Sequence, residues 1–471
     1  MKTDKYYSID TIQKGLIDHH YTAIDLVDSY YARIKKSDVK INALLTLSEE
    51  IAYKKARWTD NLIKNEKEKA LEKYPLLGVC IVHKDMFSTK GVRTTAASKL
   101  LEYYIPEYSA TIVNKLDMSG CIMLGKANCD AWAHGSSGEN SDYGPTKNPW
   151  NVKYVAGGSS SGSAASIASN FCLASTGTDT CGSIRIPSNF CGVVGLKPTY
   201  GRVSRYGLIA MASSLDSVGP MARSAEDSKK IFEIMVGADN RDATLKDKLL
   251  EKKAFKKKLK IGIPKEFFSE GLGKDVTDCL KDSINVFKKL GYEIKDVNLP
   301  HTKEGISVYY IIQPAEVSSN LGRFDGIRFG KNRETFGDEA KRRIMLGTYV
   351  LSAGYYDAFY NQAMKVRSII INEVADVFKD VDALIAPVAS TSAFKLGEKT
   401  DDPIKMYLTD IYAATANLCG IPAISIPFKF NKQNLPLGFQ IMGPKYSENI
   451  LFSLAYSFEK YISYRPQVVN I

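Results

Sequence analysis

Residues 157–187 read GGSSSGSAASIASNFCLASTGTDTCGSIRIP, and this stretch constrains the chain more than any other. Its side chains are mostly small, with large apolar residues only at a few positions such as Ile167, Phe171 and Leu173. So loose a composition suits a flexible linker. Over the whole Gly-, Ser- and Ala-rich stretch 157–222, the interspersed apolar residues and the apolar runs on either side argue instead for a tightly packed segment whose backbone approaches its neighbours closely. Within it, the second half of 157–187, Ser175 to Pro187, leaves two readings open. It is either a solvated surface loop or a backbone shaped to approach a ligand, with Ser183 at its centre.

The surroundings set the fold class. In TAIDLVDSYYARIKK, the residues Ala23, Leu26, Val27, Tyr30, Tyr31 and Ile34 recur at helical spacing behind Thr22, a helix cap. PLLGVCIVHKD (75–85) is a short apolar run of strand type, followed by a helix near 109–118 and a strand over 121–126. This alternation suggests a parallel α/β sheet. After residue 222, Ser224 and Asp227 fit a capping box and Gly237 a helix stop. LKIGIP, DVTDCLKDSINVFKKLG and YEIKDV continue as strand, helix, strand. ALIAP, PAISIP and GFQIMGP are further strands, and 446–459 is a closing helix. The mixed-charge run 245–260 reads as a solvated helix or linker and is the one plausible boundary, though not one that divides two domains.

Composition excludes several classes. No stretch of about 18 apolar residues exists, so no membrane span is expected. The start, MKTDKYYSID, lacks the marks of a signal or transit peptide, so a cytoplasmic location is expected. Eight cysteines without C-x-x-C spacing read as buried small hydrophobes in a reducing compartment, and five scattered histidines offer no metal site. The net charge of +11 leaves direct RNA contact open.

Two serine motifs compete for the chemistry. Gly158-Ser159-Ser160-Ser161-Gly162 matches the G-x-S-x-G elbow, which would make Ser160 a nucleophile. That mechanism needs a histidine, and beyond residue 160 the chain has only His301, in an ordinary loop sequence. In TCGSIR, by contrast, Thr180, Cys181, Gly182 and Ser183 can present successive backbone N–H groups to an oxyanion beside the Ser183 hydroxyl. Without histidine the serine needs another base. Lys84, ending an apolar strand, can serve only if burial lowers its pKa from about 10.4 toward neutrality.

The runs GGSSSGSA and GTDTCGSIRIPSNFCGVVGLKPTYGRVSRYG resemble the amidase signature family, from about residue 20 to the C-terminus. The resemblance implies an α/β amidase signature fold with a mixed central β-sheet covered by helices on both sides. It implies one amidase domain over 1–471, with an N-terminal helical segment to about residue 70 and a signature core over about 75–225. It also implies a catalytic set: Ser183 as nucleophile, Ser159 as the bridging serine after a cis peptide bond, and Lys84 as base. Thr180, Cys181, Gly182 and Ser183 then form the oxyanion loop.

Within that family, YGPTKNPW, LKPTYGRVSRYGL, SSNLGRFDGIRFG and KRRIMLGTYVLSAGYYDAFY resemble the glutamine-hydrolysing subunits of tRNA-dependent amidotransferases. That branch implies Arg343 for the glutamine carboxylate, Asp410 for its ammonium, and a further contact from Tyr309. It implies partner B and C subunits in a heterotrimer, with misacylated Glu-tRNA(Gln) bound mainly by the B subunit. This chain carries no P-loop run and needs no cofactor, so ATP and Mg belong to the partner. The alternatives are a stand-alone amidase for other small amides and an inactive scaffold subunit. Three departures stand out. Cys181 replaces a usual glycine, DAWAHGSS replaces the usual DEFAMGSS and so introduces Ala131 and His134, and residues 329–339 form a shorter stretch than the branch suggests. His134 reads as a packed side chain rather than a base.

Overall fold

The computed structural model describes residues 7–246, 259–268, 271–327 and 330–469; the charged run 245–260 therefore lies outside the described residues over 247–258. Thirteen strands are present among the described residues. They are β1 Leu44–Leu47, β2 Cys80–Lys84, β3 Ile122–Ala127, β4 Lys147–Asn148, β5 Asn151–Val155, β6 Ala174–Asp179 and β7 Val194–Lys197. The series continues with β8 Ser217–Ala222, β9 Lys260–Pro264, β10 Glu293–Val297, β11 Ala383–Ala386, β12 Ala423–Phe430 and β13 Pro436–Met442. β4 and β5 pair with each other, and the other eleven form one sheet in the order β1-β3-β2-β6-β8-β7-β12-β13-β11-β9-β10.

The sheet is mixed, which corrects the parallel sheet expected from strand–helix alternation. β2 runs parallel to β3 and β6, and β9 parallel to β10 and β11. Between these parallel ends, β6, β8, β7, β12 and β13 pair antiparallel in succession. Alternation identifies the crossover units at both ends, where Thr111–Met118 links β2 to β3 and Lys274–Lys289 links β9 to β10. It says nothing about the middle, where no regular helix alternation sets direction.

The N-terminal helix Ala23–Ile41 starts as expected. Thr22 accepts the N–H of Asp25 at 3.1 Å, and Asp25 returns a bond to the Thr22 N–H at 2.8 Å. Such a cap contributes about 1 kcal/mol, and the buried face Leu26, Val27, Tyr30, Tyr31 and Ile34 anchors the helix on the core. Immediately after it, β1 pairs antiparallel with β3 at the sheet edge. The helical reading of the first 70 residues misses this strand, because an apolar run as short as LLTL carries no decisive period. Later, Ser224 accepts the N–H of Asp227, while the Asp227 carboxylate takes the N–H of Ile9.

The small-residue stretch is wholly interior. Ser161–Ala168 forms a helix in which every residue is buried. A Cβ on Gly162 would collide with the Ala43 carbonyl oxygen and the Asn128 backbone, so the helix packs there backbone against backbone. Its neighbour β6, sequence ASTGTD, is buried throughout. Hydroxyls that would otherwise be stranded are bonded across this contact: Ser175 to the Ser163 carbonyl at 3.0 Å, Ser163 to the Thr176 carbonyl at 3.0 Å, Ser160 to the Thr178 carbonyl at 3.2 Å. Satisfied in this way, a polar strand survives at the centre of a sheet. The solvated-loop reading of Ser175–Pro187 is therefore excluded.

Among the described residues, no helix is long and apolar enough to cross a membrane, and no His, Cys, Asp and Glu cluster is suited to a metal. All eight cysteines are buried and unbridged, as their spacing suggests.

Candidate active site

Lys84 ends β2 between β3 and β6, with no exposed surface. Its Nζ donates to Ser159 Oγ and to Thr178 Oγ1, each at 2.7 Å. Burial pushes its pKa down to about 8, against the opposing pull of Cys129, Asp130, Asp216 and Asp179. An ammonium held by two neutral hydroxyls and no carboxylate loses its proton readily. Lys126 provides the contrast: it is equally buried, but lies 3.3 Å from the Asp85 carboxylate.

Ser159 follows a cis peptide bond from Gly158 and precedes the buried helix Ser161–Ala168. The next N–H, that of Ser160, donates to the Ser183 carbonyl at 3.0 Å, which brings the two serine segments together. Ser183 itself sits on the turn between β6 and the helix Arg185–Cys191. Its hydroxyl makes no hydrogen bond to another described residue.

The turn is wound around one carboxylate. Asp179 accepts the N–H of Gly182 at 2.7 Å and of Ile184 at 3.2 Å, and receives Nε and Nη2 of Arg185, both at 3.0 Å. Burial raises the Asp179 pKa, but the Arg185 guanidinium outweighs it and holds the group near about 2. Arg185 continues to Gln440 Oε1, Asn417 Oδ1 and the Ala413 carbonyl. Gly182 adopts φ +91°, and a Cβ there would press on Ala413 and Ile186. Its N–H is committed to Asp179, so of the four expected oxyanion donors Gly182 is already occupied. The N–H groups of Thr180, Cys181 and Ser183 have no partner among the described residues. Thr180 is oriented by its hydroxyl, which donates to Asp216 at 2.7 Å. Cys181 is not among the residues with positive φ, so the backbone tolerates its Cβ; the thiol packs in an apolar cluster with Tyr309, Leu215 and Tyr412.

Beside this centre lies a cavity of about 200 Å³, lined by Ser136, Tyr310, Glu339, Arg343, Lys399 and Tyr407 among others. Its wall joins the catalytic backbone directly, because Gly158 N–H donates to the Ser136 carbonyl at 2.7 Å and Gly157 N–H to the Ser137 carbonyl at 3.1 Å. Arg343 reaches the cavity from the helix Asp338–Val350. Its Nε donates to Glu339 at 2.8 Å and Nη1 to Gln313 at 2.6 Å. The guanidinium carbon stands 5.1 Å from the Tyr310 ring centre and 5.5 Å from that of Tyr407, and these two rings stack 3.9 Å apart. Asp410 is buried and accepts Ser136 Oγ at 2.5 Å and Tyr310 OH at 2.7 Å. Burial pushes its pKa up to about 6, with the Ser136 and Tyr310 hydroxyls and Arg343 opposing.

The structure thus brings Lys84, Ser159 and Ser183 to one centre and Arg343 to the wall of the adjoining cavity, with Asp410 buried directly behind the lining residues Ser136 and Tyr310. Tyr309 packs in the apolar cluster behind Cys181, edge-on to Tyr310. It is the neighbouring Tyr310 whose hydroxyl meets Asp410. Sequence reasoning passes over Tyr310, Ser136 and Thr178; only the doubled tyrosine in VYYII signals the first. Ser160 bonds to the backbone of Thr178 through its hydroxyl. His301 lies on the surface beside Glu373. The elbow therefore has no histidine, and His83, next to Lys84, bonds Thr176 instead. His134 is wholly buried, and burial together with Arg343 holds its pKa well below the usual range, so the ring is neutral and packed. Ala131 lies in an apolar cluster with Trp132, whose ring contacts Phe324 and Phe336. The latter ring anchors the described part of the 329–339 stretch, residues 330–339, which carries Asp338 and Glu339 at the cavity.

Comparison with known proteins shows the family. The chain is 44% identical over 98% of its length, and 98% of the relative's, to the A subunit of glutamyl-tRNA(Gln) amidotransferase from a Marinomonas species. It is 46% identical, over 96% and 98% of the two chains, to the protein of the same name from Koribacter versatilis. The crystal structure of the corresponding glutamyl-tRNA(Gln) amidotransferase A subunit from Thermotoga maritima superposes with a TM-score of 0.84 at 36% identity, covering 100% of this chain and 99% of that one. The amidase family model matches residues 25–452, and the chain belongs to the amidase signature family.

Proposed function

We propose that this chain hydrolyses the side-chain amide of glutamine at Ser183 and feeds the released ammonia to conversion of Glu-tRNA(Gln) to Gln-tRNA(Gln). One observation carries the reading: a desolvated lysine bonded to a bridging serine stands beside a cavity lined by the Arg343 guanidinium, and the buried Asp410 carboxylate lies directly behind two of its lining residues, Ser136 and Tyr310. Neutral amides need no such pair, whereas an α-amino acid presents an ammonium and a carboxylate. Arg343 meets the carboxylate and Asp410 the ammonium, with Tyr310 holding Asp410 in place and Tyr309 forming the wall behind.

In the chemical step neutral Lys84 takes the proton of Ser159, which takes that of Ser183 as its oxygen bonds to the amide carbon. The oxygen that gains charge is met by the N–H groups of Thr180, Cys181 and Ser183. Collapse breaks the carbon–nitrogen bond, and the proton returns along the same path to the leaving nitrogen, which departs as ammonia. Water then attacks the γ-glutamyl ester, and glutamate leaves with Ser183 restored. The partner B and C subunits complete the assembly, and ATP and Mg act in the B subunit on the glutamyl ester of the tRNA.

The test is Ser183→Ala in the assembled complex. Glutamine-dependent amidation should vanish while amidation from added ammonium salt persists. Equal loss of both activities in a folded, assembled complex would overturn the division of labour. Turnover of neutral amides but not of glutamine by the native chain would overturn the substrate assignment.

A further inference from the structure

We propose that Asp130 is a positioning residue that sets the distance between the ammonium anchor of the cavity and the catalytic serines, and thereby selects for the length of the amide side chain. This rests on the glutamine reading above. Asp130 is wholly buried and touches no reacting group. Its Oδ1 accepts the N–H of Asn140 at 2.9 Å and its Oδ2 the N–H of Gly138 at 3.1 Å. Its own N–H donates to the Ser159 carbonyl at 3.2 Å, and its carbonyl accepts the N–H of Ala133 at 2.9 Å. A Cβ on Gly158 would collide with Oδ2, so the carboxylate also lies directly against the peptide that precedes Ser159.

One side chain therefore clasps two segments. The first, residues 135–140, carries Ser136, whose hydroxyl holds Asp410. The second, residues 157–159, carries the bridging serine. Two further bonds run between them, from Gly157 and Gly158 to Ser137 and Ser136. A path of short hydrogen bonds thus leads from Asp410 through Ser136 and the clasped loop to Ser159. A substrate anchored by its ammonium at Asp410 presents its amide carbon at a reach fixed by its methylene count. Glutamine has one methylene more than asparagine, and a loop fixed by these bonds discriminates between the two by reach. A neutral amide without an amine does not use the anchor and is blind to the spacing.

Asp130→Asn keeps the shape but places an NH2 group against one of the two backbone N–H donors, so one clasp bond becomes a repulsion. The expected result is a ten- to hundred-fold fall in kcat/KM for glutamine, with a fall of at least tenfold in the glutamine-to-asparagine ratio (on the order of the loss of one buried hydrogen bond). Butyramide, a neutral amide that matches glutamine from its α-carbon outward, reports whatever part of the loss reaches Lys84 and Ser159, and it should fall at least about tenfold less than glutamine. Equal losses on all three amides would show that Asp130 only supports the fold, and an unchanged ratio would overturn the proposal alone. Native protein that hydrolyses butyramide but not glutamine would overturn the substrate assignment and this inference together. Should Asp130→Asn not accumulate as folded protein, Ser136→Ala cuts the same path at its far end. It must lower the ratio while sparing butyramide, and failure to do so overturns the proposal.

Discussion

The proposed catalytic centre and the proposed substrate cavity adjoin, yet they are built on opposite principles. Lys84, Thr178 and the Ser183 turn stand on adjacent central strands, every one of them buried, and the turn is wound on an internal ion pair. The cavity takes Ser136 from a loop and Tyr310 and Arg343 from two outer helices, and Asp410 stands behind Ser136 and Tyr310 on a short 3-10 turn. Beyond Arg343 the same outer helix exposes Met345, Leu346 and Tyr349 to solvent. Chemistry that depends on a desolvated lysine belongs in the interior of a sheet, where burial shifts the proton equilibrium. Recognition is assembled from outer elements of the chain, although its two charged groups, Arg343 and Asp410, are themselves buried.

The contrast breaks most sharply if a central residue is removed. Lys84→Ala should lower turnover of every amide about a hundred- to ten-thousand-fold, the span typical of a lost general base, measured with glutamine and a neutral amide side by side. A loss confined to glutamine would place Lys84 in recognition and erase the distinction. Next in size is the ion pair under the turn. Asp179→Asn leaves Arg185 buried without its carboxylate and should cost about 3–5 kcal/mol of stability, read from the denaturant midpoint. Little change would mean that Gln440 and Asn417 alone satisfy the guanidinium.

At the periphery the effect should be smaller and selective. Arg343→Ala should cost about 1.5–3 kcal/mol in kcat/KM for glutamine, roughly ten- to a hundred-fold, and leave the neutral amide almost untouched. Arg343→Lys should recover only part, because an ammonium does not grip both carboxylate oxygens. Acid should separate the regions as well. Lys84 works as the neutral base and its pKa is lowered to about 8, so activity on both amides rises with pH toward 8 and levels above it. Asp410 works as the anion and its pKa is raised to about 6, so below that pH it gains a proton. Glutamine hydrolysis should then fall more steeply than that of the neutral amide, with KM rising. Parallel profiles would remove Asp410 from ammonium binding. The smallest effect belongs to His301, which is half exposed beside Glu373; His301→Ala should leave kcat/KM within a few-fold. A large loss would revive the Ser160 elbow.

How much of this was legible in the sequence follows the same division. Lys84 ending an apolar run and Ser183 in TCGSIR stand out because a strand end and a strand-to-helix turn are local features, carried by contiguous residues. The cavity has no such locality. Tyr309 and Tyr310 are neighbours in sequence but point about 100° apart on a helix, and only the packing of that helix against its neighbours decides that Tyr310 meets Asp410 while Tyr309 backs onto Cys181. Pattern placed a packed segment at 157–222, but left residues 175–187 within it undecided between surface and interior.

By itself the sequence determined the cap at Thr22, the crossover units at both ends of the sheet and the family, and it singled out the residues proposed for the catalytic centre. Each of these rests on interactions within a few turns of chain or on a long contiguous motif. Tertiary structure alone decided the antiparallel middle of the sheet, the edge strand Leu44–Leu47, the occupation of the Gly182 N–H by Asp179, and which tyrosine faces the cavity. In each of these the deciding energy is a hydrogen bond or a contact that the surrounding fold sets, and no local pattern encodes it.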